Sequence, residues 1–132
     1  MIQIKQDIID QIITHAQKIN PIEACGYLAG YGNKITRSYE LRNIENSEEH
    51  FSFDPAEQFS VVREARNAGL EILANYHSHP KTLAHPSVED IRMAYDPGIL
   101  YLIISLADTP PQIKAYKIQK STIEEETIQI IN

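Results

Sequence analysis

The chain has 132 residues and a mass of 15.0 kDa, the size of one domain spanning residues 1–132, and its 42% hydrophobic and 23% charged content is that of a globular chain rather than a disordered one. Twelve basic against 18 acidic side chains leave a net charge of −6, which provides no basic footprint for a phosphate backbone and argues against nucleic acid as a partner. Cys25 is the single cysteine, so an intrachain disulfide and a four-thiolate metal site are both excluded and a reducing cytoplasm is the expected compartment. The first residues, Met1 to Asp7, lack the apolar core of a secretory signal, and the longest apolar run, Gly98 to Ala107, falls well short of the ~18 residues a membrane span needs.

In chain order, Ile8, Ile9, Ile12, Ile13, Ala16 and Ile19 recur at helical spacing and predict a helix from about Lys5 to Ile19, stopped by Pro21. Cys25 to Tyr31 and Ile35 to Ile44 read as two antiparallel strands joined by a turn at Gly32-Asn33. Phe51 and Phe53 alternate around Ser52 as a short strand. Asp54 then caps a second helix, from Pro55 to Ala68, with Phe59, Val62 and Ala65 as its buried stripe. From Glu71 the side chains alternate, Ile72, Ala74 and Tyr76 on one face and Leu73, Asn75, His77 and His79 on the other. A proline-bracketed loop, Pro80 to Pro86, leads to a short helix opened by Ser87 and reaching about Tyr95. Leu100 to Leu106 is apolar or hydroxylic throughout and reads as a central strand. Gln112 to Ile118 and Thr122 to Ile130 predict two final strands, with Glu124, Glu125 and Glu126 forming a solvated edge. The whole predicts an α+β fold, an α/β sandwich around one mixed sheet.

The chemistry concentrates in one stretch. His77 and His79, two residues apart on a strand, project from the same face with Cα atoms about 6 to 7 Å apart, close enough for both rings to reach one ion. Asp90, in the first turn of the next helix, completes a two-histidine, one-carboxylate set. Three ligands on a tetrahedral zinc ion leave a position for water, the arrangement of a catalytic site and not of a closed structural one. Hydrolysis by such a site needs a base. Glu23, where the chain leaves the first helix for an apolar strand, is the candidate, with its pKa raised by partial desolvation. Ser87 would donate its hydroxyl to a developing oxyanion. The same ligand set can also hold Fe²⁺, as in an oxygenase.

Glu23, His77-Ser78-His79, the seven residues Pro80 to Pro86, and Ser87-Val88-Glu89-Asp90 together resemble the signature of the JAMM, or MPN-plus, zinc isopeptidases. By composition alone the His-X-His to Ser-X-X-Asp spacing would arise in roughly one of two thousand shuffled sequences, so it carries information. The resemblance covers about residues 5 to 107, including Glu-X-Cys-Gly at Glu23 to Gly26 and Tyr76 to Pro80. It implies a single curved mixed sheet with flanking helices, similar to cytidine deaminases, and one Zn²⁺ per chain held by His77, His79 and Asp90. Glu23 would hold and deprotonate the water at the fourth position, and Ser87 would stabilise the tetrahedral intermediate. The implied substrate is the C-terminal Gly-Gly tail of a ubiquitin-like or sulfur-carrier protein, and the short chain matches the compact prokaryotic kind. A non-catalytic MPN scaffold is the alternative within the same family.

Plainer readings stand beside these. Ser87 to Asp90 is also a helix N-cap with acids in its first turn. Ser78, pointing away from the ligands, is expected to hydrogen-bond in support of them. Cys25 reads as a small buried hydrophobe instead of a nucleophile, and His85 as a solvent-exposed loop residue instead of a further ligand. His15 and His50 carry no signal.

Overall fold

Ile8, Ile12 and Ala16 are fully or almost fully buried on one side of the first helix, and this stripe fixes how the helix lies on the sheet. The computed structural model describes residues 1–120 and 122–132. Its elements are β1 (Ile2–Lys5), α1 (Gln6–Ile19), β2 (Cys25–Tyr31), β3 (Lys34–Leu41), α2 (Pro55–Asn67), β4 (Glu71–His79), α3 (Val88–Arg92), β5 (Leu100–Ser105), β6 (Gln112–Gln119), β7 (Thr122–Glu126) and β8 (Ile128–Ile131). The strands form one eight-stranded sheet in the order β7-β6-β5-β4-β2-β3-β1-β8. It is mixed: β4 pairs parallel with β5, and β1 parallel with both β3 and β8, while the remaining pairs are antiparallel.

Alternation along the strands sorts the core into two layers. Leu28, Tyr76, Leu102 and Ile104 pack with the α1 stripe on one face. Tyr27, Ala29, Tyr39 and Leu41 pack with Val61 and Ala65 of α2 on the other, beside a smaller cluster of Tyr101, Ile103, Tyr116 and Ile118. β5 therefore buries both faces, which is why its sequence is a continuous apolar run, and it lies inside the sheet between β4 and β6 as expected.

Four expectations change. Phe51 and Phe53 do not form a strand: a single bridge, Asn43 to Phe53, is all the pairing there, because the preceding strand ends at Leu41 and no partner strand runs beside them. In α2 the buried positions are Val61 and Ala65, with Val62 half-buried, and Phe59 is 67% exposed. Phe59 lies two residues, roughly 200° of helical rotation, from Val61, so a helix resting on Val61 must turn it outward. In β4 a register shift against β2 at Leu28/Ala29 passes over Leu73, so Ile72 packs toward α2 while Leu73 joins the α1 side. Thr122 to Ile130 is not one strand but two on opposite edges of the sheet, joined through Thr127.

That last change shows how strongly the sheet curves. Edge strands separated by one residue meet only if the sheet curls until its margins adjoin. Ile2 N–H donates to the Thr127 carbonyl at 2.9 Å, and the N-terminal amine pairs with Glu126 at the same seam. β1, which the sequence reading passed over, is the strand that makes the closure.

Gly26 has a particular packing reason. It faces Tyr76 in register, and a Cβ at this position would collide with the Tyr76 ring and the Tyr39 carbonyl oxygen. Gly26→Ala is therefore expected to lower stability by about 1–3 kcal/mol, seen as a lower urea midpoint at an unchanged slope.

Candidate metal centre

His77 and His79 end β4 on the face that carries α2, and Ser78 between them points to the other side. Ser78 supports the pair as expected: its Oγ accepts from Ala24 N–H at 2.8 Å and its own N–H donates to the Ala24 carbonyl at 2.9 Å. These bonds tie the segment carrying Glu23 to the strand carrying the histidines.

Asp90 arrives through α3. The Ser87 hydroxyl accepts from Asp90 N–H at 3.0 Å, and Asp90 Oδ2 accepts from Ser87 N–H at 2.9 Å, a reciprocal capping box that turns the carboxylate back toward β4. The same Oδ2 lies 3.2 Å from His77 Nε2 and 3.0 Å from His79 Nε2, and the two Nε2 atoms are 3.1 Å apart. The three atoms form a nearly equilateral triangle whose corners are about 1.8 Å from its centre, so a point slightly above the plane lies about 2.0–2.2 Å from all three, the bond lengths of zinc to nitrogen and oxygen. The donor set fits a divalent cation.

The rings are held for that task. His79 Nδ1 lies 2.8 Å from the Leu83 carbonyl, which can only accept, so Nδ1 carries the proton and the neutral ring offers the lone pair of Nε2. His77 stacks on Phe51 with centroids 4.7 Å apart and planes at 22°. Burial alone would raise the Asp90 pKa, but hydrogen bonds from His77 and His79, the charge of His77 and the Ser87 N–H outweigh it and hold the carboxyl well below the usual range. For His79 burial works downward, and the Asp90 and Leu83 hydrogen bonds overcome it to raise the imidazole. In the absence of a cation the Asp90 carboxylate therefore favours a proton on His79, and cation binding works against that proton.

Glu23 is 4% exposed, and its Oε1 has no hydrogen-bond partner among the described residues. Burial pushes its pKa up to about 8; His79 opposes the shift, while Asp90, Glu89 and Glu45 add to it. The raised value expected from the sequence is present. Cys25 is fully buried, and burial, with Glu57 and Glu23 adding, moves its thiol to about 12, so a thiolate is not available at neutral pH. His85 is exposed, bonds the Pro86 carbonyl and stands apart from the triad.

Several contributors carry no periodic or motif signal. Buried Asn43 donates to the Glu23 and His50 carbonyls at 3.0 and 2.9 Å and accepts from Glu45 N–H at 3.1 Å, tying the loop after β3 to the segment that bears Glu23. His50 pairs with Glu89 at 2.6 Å beside α3, and Lys81 pairs with Glu48 at 3.0 Å. A groove of about 370 Å³ runs from His77 and Asp90 past Phe51, Tyr27, Asn75 and Tyr101. His15, also without signal, is buried beneath the sheet and shares a 2.7 Å hydrogen bond with the Tyr76 hydroxyl.

The same architecture recurs in known proteins. The model of the prokaryotic homologs of the JAB domain matches residues 5–119, beyond the stretch of motif resemblance. A CysO-cysteine peptidase of Mycobacterium tuberculosis is 30% identical over 131 residues, covering 97% of this chain and 90% of the relative. A desampylase of Haloferax volcanii is 33% identical over 106 residues, 75% of this chain and 76% of the relative. The solution structure of protein DSY2949 from Desulfitobacterium hafniense matches with a TM-score of 0.91 at 43% identity, over 99% of this chain and 93% of that one. The chain belongs to the prokaryotic JAB-domain family, the compact prokaryotic branch of the JAMM/MPN proteins.

Two measurements follow from this geometry. Zinc titrated into metal-free protein is expected to bind one ion per chain with proton release, measured by calorimetry in buffers of different ionisation enthalpy, and His77→Ala or Asp90→Ala should abolish the uptake. Metal-free protein should also lose stability as pH rises between 4.5, the ordinary value for Glu23, and about 8, because the folded state keeps a proton that the unfolded chain releases. Glu23→Gln should flatten that slope and stabilise the metal-free protein at pH 8 by on the order of a few kcal/mol, read from urea denaturation.

Proposed function

We propose that this chain is a zinc-dependent peptidase or isopeptidase that hydrolyses a bond at the C-terminal Gly-Gly tail of a ubiquitin-like or sulfur-carrier protein, working in the cytoplasm. The observation that carries the reading is the convergence of three lone-pair donors within 3.2 Å of one another beside a buried, unpartnered carboxyl group. The named relatives, a CysO-cysteine peptidase and a desampylase, support the substrate class.

His77, His79 and Asp90 would hold one zinc ion. When bound, the ion supplies Lewis acidity and lowers the pKa of its water. Everything else falls to the chain's own groups. Glu23 takes a proton of the attacking water on its carboxylate and returns it to the leaving nitrogen, and the second water proton follows, so that one water and one amide become a carboxylate and an ammonium group. The burial that raises its pKa toward neutrality suits it to both halves of that transfer. The Ser87 hydroxyl accepts from Asp90 N–H as the helix cap, and its own proton remains free to reach the oxyanion that develops on the scissile carbonyl. The groove receives an extended tail, and glycine at the tail's end lets the carbonyl approach the centre without a side chain in the way.

Fusions of ubiquitin-like and sulfur-carrier proteins bearing a C-terminal extension test the reading. Glu23→Gln is expected to keep the metal and lose roughly 10²–10⁴-fold in turnover, His77→Ala to lose both, and Cys25→Ser to keep both. A wild-type protein carrying one zinc per chain yet inert toward all such fusions would sink the proposal.

A further inference from the structure

The loop after β4 has little packing of its own. Thr82, Leu83 and His85 are exposed, and of these four consecutive residues Ala84 alone sits in the cluster of Tyr101, Ile103, Tyr116 and Ile118. Yet the Leu83 carbonyl of this loop is the group that accepts from His79 Nδ1 at 2.8 Å. A loop free to move would offer that carbonyl to water in many orientations, so its aim at the imidazole has to come from elsewhere in the fold.

Two buried hydroxyls supply it. Ser105, on β5 in register with His79, is 2% exposed; its Oγ donates to the Thr82 carbonyl at 2.6 Å and accepts from Ala107 N–H at 3.2 Å, so its one proton is committed to the loop. Tyr116, on β6 in register with Tyr101 of β5 and likewise buried, donates to the Ala84 carbonyl at 2.5 Å. Three consecutive carbonyls, those of Thr82, Leu83 and Ala84, thus accept from side chains of β5, β4 and β6. Each peptide group is planar and rigid, so pinning the outer two leaves the Leu83 carbonyl between them little rotation. The His85 N–H, 2.8 Å away, occupies its second lone pair.

We propose that Ser105 and Tyr116 are positioning residues for the metal centre: their hydroxyls pin the loop so that the Leu83 carbonyl keeps a proton on His79 Nδ1 and the lone pair of Nε2 faces the cation. Both act through the loop and not on the cation. A hydrogen-bonded partner behind a histidine ligand contributes about 10- to 100-fold to metal affinity, and the groups that aim this partner contribute a share of that. The inference rests on the zinc centre of the reading above and is independent of which bond the protein cleaves.

Two readouts test it: zinc affinity, by competition with a chromophoric chelator, and the His79 Nδ1–H signal of metal-free protein, by NMR with isotope-labelled histidine, identified by its absence from His79→Gln. Tyr116→Phe and Ser105→Ala are each expected to weaken zinc binding by about 3- to 10-fold, and the double variant by more, with one ion per chain retained. The Nδ1–H signal, sharp in wild type because its proton is hydrogen-bonded and shielded from exchange, should broaden in both variants. Ser105→Thr, which keeps the hydroxyl, should hold both readouts at wild-type values. If the two hydroxyls were merely structural, the variants would show a lower urea midpoint with wild-type zinc affinity and an unaltered signal, and that result overturns the proposal, as does weaker zinc binding with an unaltered signal. Should Ser105→Ala fail to fold, Tyr116→Phe, which keeps the ring and its packing, decides alone. If wild-type protein takes up no zinc, the zinc reading falls and the metal-free signal decides: broadening in Tyr116→Phe keeps the hydroxyls as the pins of His79, and an unchanged signal removes them.

Discussion

Three electron-pair donors held within about a hydrogen-bond length of each other are mutually unfavourable without a proton or a cation between them, and the structure around β4 is arranged to hold them there. The strand supplies two donors because its side-chain period is two, and its place between β2 and β5 denies it freedom to twist away. The third comes from a separate element, and the capping box of α3 keeps its carboxylate turned inward. The Leu83 carbonyl fixes the His79 imidazole through a hydrogen bond, and Phe51 fixes that of His77 through stacking. Each member is thereby placed by a backbone feature or a rigid ring instead of a flexible side chain, as a preorganised site requires.

Burial gives the site its electrostatic character. Glu23 would be an ordinary surface acid in a turn, but the Ser78–Ala24 bonds draw its segment against β4, and Asn43 closes the following loop over it. In that environment the neutral carboxylic acid is favoured, whereas the nearby Asp90 is held ionised by its histidine partners. Two carboxyl groups in one centre are thus driven toward opposite protonation states. Cys25, in register with His77, is pushed toward its neutral form by the same burial and remains a packing residue.

The remainder of the fold keeps this arrangement rigid. Gly26 lets the Tyr76 ring lie flat across β2, and Tyr76 reaches through to His15 of α1, so the face of the sheet opposite the site is locked to its covering helix. The curl that brings β7 and β8 together at Thr127 joins the sheet's margins and draws the N-terminal strand into the seam. The exposed acids Glu124 and Glu125 lie on β7, the strand at one end of the sheet order, where charge discourages pairing with another chain.

Local rules made much of this visible without coordinates: helical spacing marked α1 and α2, and two-residue periodicity put His77 and His79 on one face. Proline and serine signals placed the start of α3, and spacing joined Asp90 to the pair. Those features depend on residues near one another in the chain, where the backbone leaves few choices. Long-range packing decided the others. Which side of α2 faces the sheet depended on Val61 finding a site that Phe59 did not, and the shift at Leu73 depended on a neighbouring strand. The split at Thr127 depended on curvature accumulated over eight strands. Asn43 and Phe51 acquire their roles only from partners distant in sequence, because hydrogen bonding and stacking are properties of a neighbourhood that forms when the chain has closed on itself.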